Sequence, residues 1–160
     1  MRNWFSLELS DDCHEYIQEY ISLEDFKEGT FGFIYVTTHI PTGKKYLGKK
    51  SLFHTLNKKL GKKELAEQPI TRGRKSTTKK IVKESDWKTY FGSEEFIKQQ
   101  IKEGKQDEFS REILIQVSDK KLLTYFECKY QFKYGVLESQ DWMNTNILGK
   151  FFSKDFASKE

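Results

Sequence analysis

Phe31-Gly-Phe-Ile-Tyr-Val-Thr-Thr-His-Ile-Pro-Thr-Gly-Lys-Lys-Tyr-Leu-Gly-Lys50 is the stretch that decides the fold of this 160-residue chain. The run from Phe31 to Thr38 is rich in β-branched and aromatic residues, and so is the shorter run from Lys44 to Lys50. Pro41 and Gly43 lie between them, which is the chemistry of a short antiparallel hairpin connection. Tyr35 and Tyr46 then fall on paired strands.

Working outward, residues 94–103 have helical spacing and end at Gly104, a residue that terminates helices readily. Phe109-Ser-Arg-Glu-Ile-Leu-Ile-Gln-Val117 reads as a third strand, expected over 108–117, and a helix capped by Ser118 follows from about Asp119. On that helix Leu123, Phe126, Tyr130 and Tyr134 share one arc, with Glu127 about 40° from Leu123 at its edge. An ionised carboxylate at a core boundary requires a compensating partner. The two alternatives are a lysine, with Lys129 or Lys133 near in sequence, and a divalent cation held by oxygen donors. Ahead of the hairpin, Cys13, Tyr16, Ile17 and Tyr20 have helical spacing behind Asp11 or Asp12, which predicts an N-terminal helix to about Ile21. A short helix is also expected over 84–90, and residues 51–83 read as a polar, partly mobile insertion.

Charge is unevenly distributed. Residues 44–88 hold 15 Lys/Arg against 4 Asp/Glu, about +11, within a chain of net charge +4. Focused positive charge suits a phosphate backbone, because neutralising phosphates releases condensed counterions. The backbone contacts are assigned to Lys58, Lys59, Lys62, Lys63, Arg72, Arg74, Lys75, Lys79 and Lys80, with Tyr90 beside them. The first thirty residues carry about −6 and could contact a protein partner or fold back over the basic patch. Only 36% of residues are hydrophobic, and no apolar run approaches membrane-spanning length, so a small single core and a cytoplasmic location are expected, without membrane association. Cys13 and Cys128 are too few for a disulfide framework or a Cys-rich zinc site, and His14, His39 and His54 lack ligand spacing.

The hairpin resembles that of the GIY-YIG endonucleases, whose two tripeptides correspond here to Phe33-Ile34-Tyr35 and Tyr46-Leu47-Gly48, with Gly32 displaced by one position. The order of elements downstream agrees, including Trp87-Lys-Thr-Tyr90-Phe-Gly-Ser93, Glu127 on a late helix and Asn144 near the domain's end. The likeness spans about 31–147 and is nearest to phage-encoded Seg-type members. It implies an α+β fold: a small three-stranded antiparallel sheet flanked by helices, in a nuclease domain over 31–150 with the basic insertion 51–83; outside the likeness lie the acidic N-terminal helical extension (1–30) and a tail (151–160). It also implies a DNA endonuclease, in the host cytoplasm if phage-encoded, using Mg²⁺ or Mn²⁺ on Glu127. Tyr35 would position or deprotonate the attacking water, Tyr46 would support it, Lys49 and Lys50 would supply positive charge, and Asn144 would contact nucleic acid. Tyr35, Tyr46 and Glu127 should converge on one concave face.

One family position departs. The arginine usually placed about a turn before a His or Tyr falls, counting from Tyr90, on Asp86. Arg72 or Arg74 could reach in, Lys50 could substitute, or catalysis could be weakened, leaving a nucleic-acid-binding or regulatory protein on the same fold. Arg111 is a further candidate, with a structural salt bridge as its other role.

Overall fold

A computed structural model describes residues 1–69 and 72–156. In chain order these form β1 (Trp4–Leu9), β2 (Glu15–Tyr20), β3 (Gly32–His39), β4 (Lys45–Ser51), β5 (Phe53–Lys59), α1 (Lys62–Ala66), β6 (Thr78–Glu84), α2 (Glu95–Lys102), β7 (Phe109–Val117), α3 (Lys120–Lys133), β8 (Asn146–Ile147) and β9 (Phe151–Phe152). The chain divides into two units. Phe53–Ser85 is one, and residues before and after it make the other.

The larger unit is built on a mixed five-stranded sheet of order β2-β1-β7-β3-β4. Strands β7, β3 and β4 are the antiparallel trio expected from sequence, and β1 joins β7 in parallel, which corrects the expected three-stranded sheet to five. The expected N-terminal helix is a hairpin instead. Asp11-Asp12-Cys13 turns the chain, with Cys13 at φ 59°, and β2 returns antiparallel to β1. The spacing of Cys13, Tyr16, Ile17 and Tyr20 is ambiguous because Gln18 and Tyr20 also satisfy strand alternation. An isolated helix of that length has little stability of its own, whereas β1 gains a ladder on β7 and buries Trp4, whose indole donates to the Trp87 carbonyl.

Alternation along β3 and β4 sorts side chains to two faces. One face carries Phe33, Tyr35 and Thr37 beside Tyr46, Gly48 and Lys50, covered by Trp4, Phe26 and Trp87. The other carries Ile34, Val36 and Leu47, packed against Leu123 of α3 and against Val136, Leu137 and Ile147. Gly32 permits that packing: a β-carbon there would lie 2.8 Å from Leu123 Cδ2 and 2.5 Å from the Lys50 carbonyl oxygen. Helix α2 agrees with its expected span, and α3 is capped by the Asp119 side chain on the Leu122 amide, not by Ser118. Residues 87–89 form a single 3-10 turn, since β6 extends to Glu84 and shortens the helix expected over 84–90.

The smaller unit gives the polar insertion a regular core that sequence did not anticipate. β5 and β6 pair antiparallel over their whole length, from Phe53↔Glu84 to Lys59↔Thr78, with α1 in the connection.

Candidate active site

Tyr35 is wholly buried, edge-on to Trp4 at 5.2 Å and to Tyr90 at 5.9 Å between ring centroids. Its cross-strand partner is Gly48, and a β-carbon at that position would lie 2.5 Å from the Tyr35 hydroxyl oxygen and 2.8 Å from Cζ. The glycine of the second tripeptide is therefore the space into which the Tyr35 hydroxyl projects. Among the described residues that hydroxyl makes no hydrogen bond of ordinary geometry. Burial raises the phenol well above its usual value of 10, and Tyr90 and Tyr46 raise it further. Among the described residues no lysine offsets this, so at neutral pH Tyr35 is a neutral phenol that can donate or orient, not a base. Of the two roles the resemblance implies for Tyr35, positioning the attacking water and deprotonating it, the raised phenol favours the first.

Tyr46 lies two pairs along the hairpin, across from Thr37, its ring 6.3 Å from that of Tyr35 and its hydroxyl 2.6 Å from Ser93 Oγ. Desolvation raises its phenol too, and the Ser93 hydrogen bond opposes that shift. Tyr46, Ser93, Glu94, Glu127 and Gln131 line one pocket of about 590 Å³.

Glu127 arrives from the other side of the sheet, because α3 packs on the face opposite Tyr35. The site is thus assembled around the outer edge of β4 rather than on the single concave face expected from sequence. The outward backbone of β4 is occupied residue by residue. Lys45 pairs with the backbone of Asp141 and Met143, Leu47 exchanges both hydrogen bonds with the Asn144 amide, and Lys49 offers its main-chain N–H and its ammonium to Glu127. Asn144 is 4% exposed, and its amide oxygen and nitrogen are both engaged by Leu47. Its place is to hold the strand that carries Tyr46 and Gly48.

The partner of Glu127 is Lys49, at 3.7 Å, not Lys129 or Lys133. Lys49 Nζ also donates to Thr124 Oγ1 at 2.8 Å. Burial raises the Glu127 carboxyl above its usual 4.5 in spite of that lysine. Lys50, two residues beyond Gly48, sits with Nζ 4.0 Å above the Tyr90 ring and pairs with Asp86, the residue at the expected arginine position.

Arg111 is 1% exposed and makes no salt bridge among the described residues, contrary to its expected structural role. It donates instead to the carbonyls of Lys88, Tyr90 and Arg2 and lies 4.1 Å from the Phe91 ring centroid. Desolvation lowers its guanidinium to about 10, so it is charged at neutral pH.

The family described as "Putative endonuclease segE, GIY-YIG domain" matches residues 16–147. The chain belongs to this family. The match begins at Tyr16, so all of β2 but Glu15 lies within the span that corresponds to the GIY-YIG domain, ahead of the tyrosine hairpin that carries the sequence likeness. No curated protein and no solved structure matches the chain. A GIY-YIG domain implies a nuclease and hence a nucleic-acid substrate. Among the described residues no helix is long and apolar enough to cross a membrane.

Two parts of the candidate site were hidden from sequence reasoning. Ser93 follows the Tyr90-Phe-Gly run but offers no spacing that announces its bond to Tyr46. Thr124 precedes Glu127 by three residues, so helix geometry could have placed it on the same side. Lys58, Lys59, Lys62, Lys63, Arg72, Arg74, Lys75, Lys79 and Lys80 all belong to the smaller unit and are exposed. Lys79 forms an ion pair with Glu64.

Among the described residues no group of three or more His, Cys, Asp or Glu side chains is placed to hold a metal. A single partly exposed carboxylate is nonetheless a suitable donor for Mg²⁺, a hard cation that keeps several waters and completes its shell with substrate phosphate. Glu127 has 19% of its side chain exposed, at the pocket shared with Tyr46, so the donor chemistry fits such an ion.

Proposed function

We propose that this GIY-YIG protein is a phage-encoded DNA endonuclease that hydrolyses phosphodiester bonds with Mg²⁺ or Mn²⁺ held on Glu127. The observation that carries the proposal is the buried Tyr35 hydroxyl behind Gly48, with no hydrogen bond of ordinary geometry among the described residues, beside Tyr46, which shares a pocket with Glu127. The bound ion would supply Lewis-acid stabilisation of phosphoryl charge.

The chain's own residues perform the remainder. Tyr46, held by Ser93, orients the attacking water or a phosphate oxygen, and neutral Tyr35 backs it as a donor. Lys50, with Asp86 and Tyr90 restraining its ammonium, is the cation facing the charge that develops on the phosphoryl group. Lys49 balances the Glu127 charge, and Glu127 would be the residue that holds the ion. The exposed lysines and arginines of Phe53–Ser85 contact the DNA backbone, and the acidic N-terminal segment is offered as a surface for a protein partner.

A second reading has its own observation. Lys50 replaces the planar fork of an arginine and is already paired with Asp86, which suits a weakened enzyme acting as a binding or regulatory protein. Incubating supercoiled plasmid with Mg²⁺ or Mn²⁺ and the parent or Glu127→Ala separates the two. Nicking by the parent alone supports the nuclease, and binding without nicking in both supports the second reading.

A further inference from the structure

The smaller unit contains a two-stranded ribbon, and among the described residues its two strands pair only with each other. A hairpin without a third strand has little stability of its own in water. Its composition is also unusual for a free-standing ribbon. Phe53–Ser85 holds ten Lys/Arg against three Asp/Glu, and Lys58 stands directly across from Lys79. Glu64 offsets the repulsion of that pair by bonding Lys79, and the remaining excess of positive charge fits a ribbon whose partner is a polyanion.

The two faces of the ribbon differ. The face bearing Lys58 and Lys79 turns toward α1, since Lys79 pairs there with Glu64. The opposite face carries Thr55, Asn57, Lys59, Thr78, Lys80 and Val82, all exposed, with Asn57 directly across from Lys80 and Thr55 across from Val82. At its centre are an amide that can bond adenine bidentately, an ammonium that can bond guanine, and methyl groups that can meet the thymine methyl. The B-DNA major groove, about 12 Å wide, admits a two-stranded β-ribbon, and strands lie about 4.8 Å apart.

We infer that the β5–β6 ribbon lies in the major groove of duplex DNA with this open face toward the base edges, Asn57 and Lys80 reading sequence while the surrounding cations hold phosphates. The inference rests on the DNA reading above and deepens it: the substrate is double-stranded, and part of the specificity resides in the insertion.

The test is selection of bound duplexes from a randomised pool by the full-length protein in EDTA, parent beside Asn57→Ala. Binding of the winning duplex, its single strand and an unselected duplex is then measured across a salt series. The parent should enrich a short motif, prefer its duplex over its single strand, and lose the complex to the major-groove ligand methyl green but not to distamycin. Asn57→Ala removes no charge and lies on an exposed surface. It should lose about tenfold of discrimination at one base pair, the scale of a good bidentate contact, with its salt slope unchanged.

Equal motif preference in parent and variant, or displacement by distamycin alone, would overturn the groove assignment while leaving plasmid cleavage, and so the nuclease reading, intact. A protein that neither binds any of these DNAs nor nicks plasmid would overturn both.

Discussion

The Tyr35 hydroxyl oxygen lies 2.5 Å from the point where a β-carbon on Gly48 would stand, so the two halves of the tyrosine hairpin meet at a position only a hydrogen can occupy. The conflict could not be relieved by moving Tyr35, whose ring is enclosed by Trp4, Phe33, Tyr46 and Tyr90. Gly48→Ala should therefore displace the phenol or the strand. We expect a loss of about 1–3 kcal/mol, the range for overpacking a core, and at least a tenfold fall in cleavage. Urea melts and a plasmid assay check it; an alanine variant of parental stability and rate would show that the clash is relieved elsewhere.

Glu127 should link pH to activity and stability in opposite senses. Its carboxyl titrates above the ordinary 4.5 because burial disfavours the charged form. A carboxylate is needed for metal, so the rate should fall as pH drops through that raised value, and it should show no alkaline limb below about 10, since both hairpin tyrosines titrate above 10.0. For stability, the unfolded chain loses this proton at lower pH than the folded one. Stability is therefore lost as pH rises from the unfolded to the folded value. Glu127→Gln should abolish cleavage yet gain on the parent in melting temperature between pH 4 and pH 7, by about 2–4 °C if the gain is ~1 kcal/mol. A gap that narrows over this interval would indicate that the Lys49 ion pair outweighs burial.

Lys50 and Lys49 should separate by role although they are neighbours. Lys50 is held over Tyr90 by Asp86, while Lys49 pairs with Glu127 and Thr124. Lys50→Ala should depress cleavage about 10²-fold, as loss of one preorganised electrostatic group does, with DNA affinity nearly intact. Lys49→Ala should instead raise the Glu127 carboxyl further and move the acid limb of the rate profile upward. Single-turnover rates and a filter-binding isotherm distinguish them; equal losses of affinity and rate at Lys50 would make it only a phosphate ligand.

Arg111 joins β7 to the 3-10 turn that presents Tyr90. Its Nη1 donates to both the Lys88 and the Tyr90 carbonyl while Nη2 donates to that of Arg2, a planar spread lysine lacks. Arg111→Met leaves these buried acceptors without a donor and should cost about 3 kcal/mol, and Arg111→Lys should recover part of that. Chemical denaturation of the three proteins tests this, and parental stability in the methionine variant would show that water replaces the guanidinium.

Neutralising Lys58, Lys59, Lys62 and Lys63 should weaken DNA binding and flatten its salt dependence, by about 0.9 in the log–log slope for each B-DNA phosphate that the protein no longer neutralises. Affinity measured over a range of KCl concentrations decides it, and an unchanged slope assigns this cluster to solvent.

Local chemistry was enough to establish the β3–β4 hairpin, strand β7, helix α2 and helix α3, because period, turn residues and caps are written within short windows. The same windows identified Tyr35, Tyr46 and Glu127 as candidates. They failed at residues 11–21, where helix and strand spacings coincide and only the ladder between β1 and β7 selects the strand. The ribbon escaped for a related reason: its strands are as polar as a loop, and pairing across 18 intervening residues, from Lys59 to Thr78, leaves no local trace. The partner of Glu127 was likewise beyond sequence, since Lys49 and Glu127 are joined only when α3 packs beside the edge of β4. What the sequence determined by itself are the elements and the chemical groups; which face each group reaches, and which charge meets it there, follows from non-local packing that no short window contains.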